Sequence, residues 1–98
     1  METIVLENNV SEASKLLSAM SNSHRLMVLC KLADGEMSVT TLADAVGLSQ
    51  SALSQHLAKL RERNLVATRR EAQTIYYRLA SKDVNAVLQT LYRLYRGD

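Results

Sequence analysis

Val10, Ala13, Leu16, Leu17 and Met20 recur at three- and four-residue steps, which places them on one face of a helix over residues 10–20. Ser21-Asn22-Ser23 breaks that pattern and offers caps, with His24 as a further capping residue. A second, nearly all-apolar helix follows with Leu26, Val28, Leu29, Cys30 and Leu32, and a helix of that composition is expected in the core. Asp34-Gly35 reads as a turn. Ser38 then caps a short third helix with Val39, Leu42, Ala43 and Val46 inward, and Gly47 stops it. Ser49 caps a fourth helix over about Gln50–Arg63, with Leu53, Leu57 and Leu60 on its inner face and Asn64 at its end. Leu65–Thr68 and Thr74–Leu79 are β-prone, the second with Ile75, Tyr77 and Leu79 on alternate positions. No glycine lies in Arg69–Gln73, so a longer, flexible loop is expected there in preference to a two-residue turn. Ser81 caps a last helix that carries Val84, Val87, Leu88, Leu91, Leu94 and Tyr95 in register. The predicted order is four helices, a β-hairpin and a fifth helix. The fold is thus mainly α with a small β-hairpin, as one domain over residues 10–98 behind a flexible tail over 1–9.

Composition narrows this picture. A chain of 98 residues, 47% of them hydrophobic, fits one core and no more. So small a body buries a modest share of its surface, which favours a partner subunit. The absence of Pro and the presence of only three Gly favour helices. The first nine residues lack the basic start and apolar run of a secretory leader, and no stretch approaches the roughly 20 apolar residues that cross a bilayer, so a cytoplasmic protein without membrane contact is expected. Charge is uneven. Lys15, Arg25 and Lys31 meet six acidic residues before position 49, whereas nine Lys and Arg meet four acids after it, so the second half is the side expected to meet a polyanion.

Val39 to Arg63 combine a short helix, a glycine-containing turn and a second helix with a Ser-, Gln- and Arg-bearing face, the pattern of a helix-turn-helix. The second helix of such a motif must bring small and amide side chains near its N-terminus to base edges in the major groove. Gln50, Ser51, Ser54 and Gln55 satisfy that requirement, on the face opposite Leu53, Leu57 and Leu60. Ser49, Lys59, Arg61, Arg63 and Gln73, with Arg69 and Arg70 placed at the hairpin tip, are candidates for phosphates or the minor groove; an ordinary solvated face is the plainer alternative. The broad apolar stripe of the last helix is wide for so small a body. Val87, Leu88, Leu91, Leu94 and Tyr95, with Leu16 and Leu17, are therefore expected at a homodimer interface, internal packing being the alternative.

The runs SNSHRLMVL, LSQSALSQHLAKLR and RREAQTIYYRL resemble the ArsR/SmtB family of winged helix-turn-helix repressors, especially its nodulation-, biofilm- and haemolysin-type branch, and the likeness extends from about Ala13 to Tyr95. The resemblance implies a symmetric dimer clasped by its first and last helices that binds an inverted repeat in double-stranded promoter DNA. It also implies where sensors would lie. The thiolate pair of the third helix is absent from Met37–Val46, and Val84–Tyr95 holds no Asp, Glu or His, so no metal and no cofactor are expected. His24 and His56 lie far from any thiolate cluster, and His56 is expected to pack or bond at a helix junction. Branches that respond to oxidants pair a Cys on the second helix with one after the last-helix tyrosine; here that second place is Arg96. Cys30 alone could reach a sulfenic acid or a glutathione cap, but a small buried hydrophobe is the expectation.

No nucleophile, base and orienting group assemble in the sequence, and no glycine-rich phosphate loop is present, so an enzyme is not expected. A winged-helix module that binds a protein is the rival from another class. It should carry exposed aromatics where this chain has Ser, Gln and Arg. Repression is the expected outcome, with activation by displacing another DNA-bound protein as the alternative.

Overall fold

Each long helix from residue 23 onward starts where a small polar side chain accepts an orphan backbone N–H. In the computed structural model, which describes residues 1–97, Asn22 Oδ1 accepts from the N–H groups of His24 (2.9 Å) and Arg25 (3.1 Å). The Oγ atoms of Ser38, Ser49 and Ser81 accept from Thr41, Ala52 and Val84, each at 3.2 Å. The expected serine caps are therefore formed, and His24 is not a cap, because the shorter Asn22 already occupies the donors. The elements are α1 (Ile4–Asn8), α2 (Val10–Met20), α3 (Ser23–Ala33), β1 (Met37–Ser38), α4 (Val39–Val46), α5 (Gln50–Glu62), β2 (Val66–Glu71), β3 (Thr74–Leu79) and α6 (Lys82–Arg96). Gly47, at φ 71°, ends α4 while the Leu48 N–H reaches back to the Ala43 carbonyl at 3.1 Å. Asn64, at φ 58°, ends α5 in the same way, with Leu65 N–H on the Leu60 carbonyl at 3.0 Å.

The core lies where α3, α4, α5 and the first half of α6 converge on the sheet. Val28 and Leu29 of α3, Leu42 of α4, and Leu53, Leu57 and Leu60 of α5 are buried, joined by Val66 and Tyr77 of the sheet and Val84 and Leu88 of α6. Among the described residues no polar or charged residue is buried. β3 is central in an antiparallel sheet of order β1-β3-β2.

Several expectations change here. β1, with Met37 opposite Tyr77 and Ser38 opposite Tyr76, makes the hairpin a three-stranded sheet; two residues are too few to show a period. β2 runs on to Glu71, which pairs with Thr74, so the connection is the two-residue turn Ala72-Gln73 and not a longer loop. Ala72 accepts φ 55°, a conformation usually left to glycine, because the paired strands on both sides impose it. Residues 4–8 are helical within what reads as a tail, and they bury nothing. Cys30 is exposed, correcting the buried-hydrophobe expectation. It sits on the face of α3 opposite Val28, Leu29 and Leu32, since at about 100° per residue those three share a side that position 30 does not.

The stripe on α6 is divided. Leu88 is buried in its own chain and Val87 and Leu16 lean on that core, so these three already serve internal packing. Leu17, Leu94 and Tyr95 are left 55%, 66% and 88% exposed, with Leu91 half-buried between the two groups. Among the described residues no helix is long and apolar enough to cross a membrane.

Candidate nucleic-acid interface

Burial of Leu53, Leu57 and Leu60 fixes the rotation of α5, and the opposite face follows from it. Ser51 and Gln55 are exposed there, and Gln50 and Ser54 are exposed on the adjoining flank toward the hairpin, all within the first two turns. Ser49 takes part in the cap, and its Oγ also lies 3.4 Å from Ser51 Oγ. Gln50 and Ser54 border a groove between α5 and the hairpin, together with Thr40 of α4, Gln73 of the turn and Thr74 of β3; Val39, Leu57, Ile75 and Tyr77 supply its apolar lining. The fold thus brings Gln73 beside the amide and hydroxyl face, 23 positions from Gln50 in the chain. Thr40 and Thr74 were not singled out in the sequence, and they become visible only when the groove is assembled.

The basic residues divide into separate groups. Arg61 follows Gln50 and Ser54 along the same side of α5, exposed and without an ion pair among the described residues. Lys59 and Arg63 turn to the other flank, toward α2, where Arg63 Nη2 lies 3.7 Å from Glu12 Oε2. Neither Arg69 nor Arg70 is at the tip, since both belong to β2. Arg70 pairs across the ladder with Ile75 and shares its side of the sheet, the side that borders the groove. Arg69 pairs with Tyr76 on the outer side. Its Nε donates to both Glu36 oxygens at 2.8 and 3.0 Å, Nη2 lies 2.7 Å from Glu36 Oε1, and Nη1 reaches Glu71 Oε2 at 3.3 Å. The guanidinium also stacks over the Tyr76 ring at 4.4 Å. The Arg69 hydrogen bonds hold the Glu36 carboxyl below its usual pKa, and Glu36 in turn pushes Arg69 up. Arg69 is therefore neutralised and fixed, whereas Arg70 makes no hydrogen bond or ion pair among the described residues. Glu36 gave no signal in the sequence, because its partner is 33 residues away.

His56, expected at a helix junction, lies at that of α3 and α5, its ring 5.6 Å from that of His24. Among the described residues no three His, Cys, Asp or Glu side chains converge as metal ligands would.

The arrangement of a braced helix with an amide face, a flanking hairpin and a cationic surround suits a duplex groove. Comparison with known proteins agrees with it. Residues 22–68 match the family model described as bacterial regulatory protein, arsR family. The chain is 53% identical over 90 residues to the transcriptional activator HlyU of Vibrio cholerae, covering 92% of this chain and 83% of that protein. It superposes on the crystal structure of the transcriptional repressor BigR from Xylella fastidiosa with a TM-score of 0.92 at 37% identity, covering 97% of each chain. A homodimeric winged helix-turn-helix DNA-binding domain from Mycobacterium bovis matches with a TM-score of 0.80 at 28% identity, covering 97% of this chain and 88% of that one.

Proposed function

The chain belongs to the ArsR family of bacterial regulatory proteins, and we propose that it is a homodimeric repressor that occupies an inverted-repeat operator. Family membership makes it a non-enzymatic transcriptional regulator of the DNA-binding winged-helix type. The finer reading is carried by one observation: Gln50, Ser51, Ser54 and Gln55 stand exposed together at the N-terminal end of a helix whose other face is locked into the core. Glutamine can bond two edges of adenine at once, and small serines let the helix backbone approach the bases. In this reading α5 lies in the major groove, and Gln73 and Arg70 bring the hairpin to the neighbouring backbone or minor groove. Arg61 adds a phosphate contact further along.

The dimer in this reading forms through the exposed apolar side chains that the core does not use. Leu17 of α2 and Leu94 and Tyr95 of α6 supply them, with Leu91 at the margin. A two-fold axis between protomers sets two recognition helices about 34–36 Å apart, one turn of duplex, and hence two half-sites. From residue 10 onward the chain is one unit for DNA binding and dimerisation. The similarity to a protein named as an activator favours a second reading, activation by displacing another DNA-bound protein.

Genome-wide mapping of bound sites, followed by footprinting and a promoter reporter, tests this. The expected result is a palindromic footprint overlapping a promoter whose output rises when the regulator is deleted. Output that falls on deletion points to the activating reading. A dimer that ignores duplex DNA in dilute buffer rejects both.

A further inference from the structure

On the flank of α5 that faces away from the hairpin, α3 and α5 meet through the only two histidines of the chain. His56 follows Ser54 by two residues, about 200° around the helix. Its ring and that of His24 are tilted by 35° at 5.6 Å, with His24 exposed and His56 half-buried. Arg25 of α3 and Lys59 of α5 are the charged side chains that act on His56. Arg25 is held by helix-end carbonyls, Nε to Ala19 O at 2.6 Å and Nη2 to Ser18 O at 3.3 Å. The adjoining cleft adds Lys15 of α2 and Glu62 and Arg63 of α5. Glu12 of α2 is engaged by Lys15 at 3.5 Å and Arg63 at 3.7 Å. Among the described residues none of His24, Arg25, His56 and Lys59 forms an ion pair.

Four cationic or protonatable groups thus share one small surface. Such a grouping opposes its own protonation: burial, then Arg25, His24 and Lys59, push the His56 pKa below the usual histidine value. An anion with several oxygens reverses that balance. A helix of about 10–12 Å diameter nearly fills a major groove about 12 Å wide, so both of its flanks approach a phosphate row.

We propose that the His24–His56 pair, with Arg25 and Lys59, is a second backbone contact that receives the phosphates of the strand opposite the hairpin and tightens duplex binding when the imidazoles are protonated. This rests on the DNA-binding reading above. Because phosphate contacts are independent of sequence, the effect belongs to any duplex. Binding takes up protons, so affinity rises as pH falls. Histidine is the side chain whose ordinary pKa lies between about pH 5 and 8, so the histidine substitutions below separate its part in the effect from that of any other group.

The test is fluorescence anisotropy of the full chain on a random-sequence duplex of about three helical turns, at constant ionic strength from about pH 8 to about pH 6. The expected result is several-fold tighter binding at the acid end, each imidazole whose pKa rises by one unit contributing up to about tenfold. The double variant His24→Gln/His56→Gln should bind with little dependence on pH. Should that variant unfold, His24→Gln alone, at an exposed position, should retain the fold and lose part of the slope. By NMR, the His56 titration midpoint should move upward when duplex is added. A flat wild-type profile, a slope unchanged by the histidine substitutions, or an unmoved His56 midpoint overturns the contact while leaving the DNA reading intact. Absence of duplex binding at every pH overturns that reading and this contact with it.

Discussion

Arg69 and Arg70 are neighbours in the chain with opposite situations, because the pleat of β2 sends them to opposite sides of the sheet. Arg69 stacks on Tyr76 and is bound by Glu36 and Glu71, while Arg70 shares the side of Ile75 and is unpaired among the described residues. In the proposed complex Arg70 neutralises a phosphate and Arg69 orients the strand that carries it. Arg70→Ala is expected to weaken binding about equally on all duplexes and to flatten the salt dependence by about one unit, measured by titrating salt at fixed pH. Arg69→Ala should leave that slope at the wild-type value. Equal slopes for the two variants would remove the distinction. Gln55→Ala should instead cost about 1–3 kcal/mol of discrimination between operator and random sequence, read from competition binding. Charge was legible in the sequence at both arginines. Which arginine was free was not, because the answer depends on Glu36, 33 positions before Arg69.

At the scale of elements, α6 shows how one stripe can serve two purposes. Its fifteen residues span about 22 Å; the first half, with Val84 and Leu88, closes the core, and the last turns leave Leu94 and Tyr95 exposed. Leu88→Ala is expected to destabilise the fold by about 2–5 kcal/mol, seen as a lower melting temperature at every protein concentration. Leu94→Glu should shift sedimentation at micromolar concentration from dimer toward monomer, and a dimer that persists would place the interface elsewhere. The hairpin gains its order from outside itself, through β1 and through Glu36 just before it. Exposed ion pairs contribute little to global stability, so Glu36→Gln should leave the melting temperature nearly unchanged while amide exchange in β2 and β3 accelerates; unchanged exchange would mean that the brace has no part in ordering the hairpin. The serine caps and the helix stops at Gly47 and Asn64 were readable because each depends on residues within one turn. The two-residue turn was not, because Ala72 takes its positive φ from the register of the flanking strands and not from its own preference.

For the molecule as a whole, protons connect stability to the proposed ligand. The folded chain holds His56 below its ordinary value of 6.5, so the unfolded chain binds more protons as pH falls through that region. Stability of the free protein should therefore rise with pH across a window below and up to about 6.5, and melting curves at constant ionic strength should show that rise for wild type and a weaker one for His56→Gln. Glu36 acts lower on the scale: its carboxyl is held below 4.5, so the stability it adds is present above that value and disappears as pH falls through the depressed one. A melting temperature independent of pH from about 5 to 8 would contradict the His56 linkage. The helix order from residue 10 onward, the serine caps, the core face of α5 and the Ser- and Gln-bearing surface beyond it were determined by the sequence alone, because each follows from a period or contact within a few residues. Only the tertiary structure decided that Leu88 is core while Leu94 is surface, that Cys30 faces outward, that Glu36 neutralises Arg69, and that two histidines 32 positions apart meet beside Lys59. Those outcomes depend on how distant segments pack, and a linear pattern holds the spacing of residues along one element but not the distance between two.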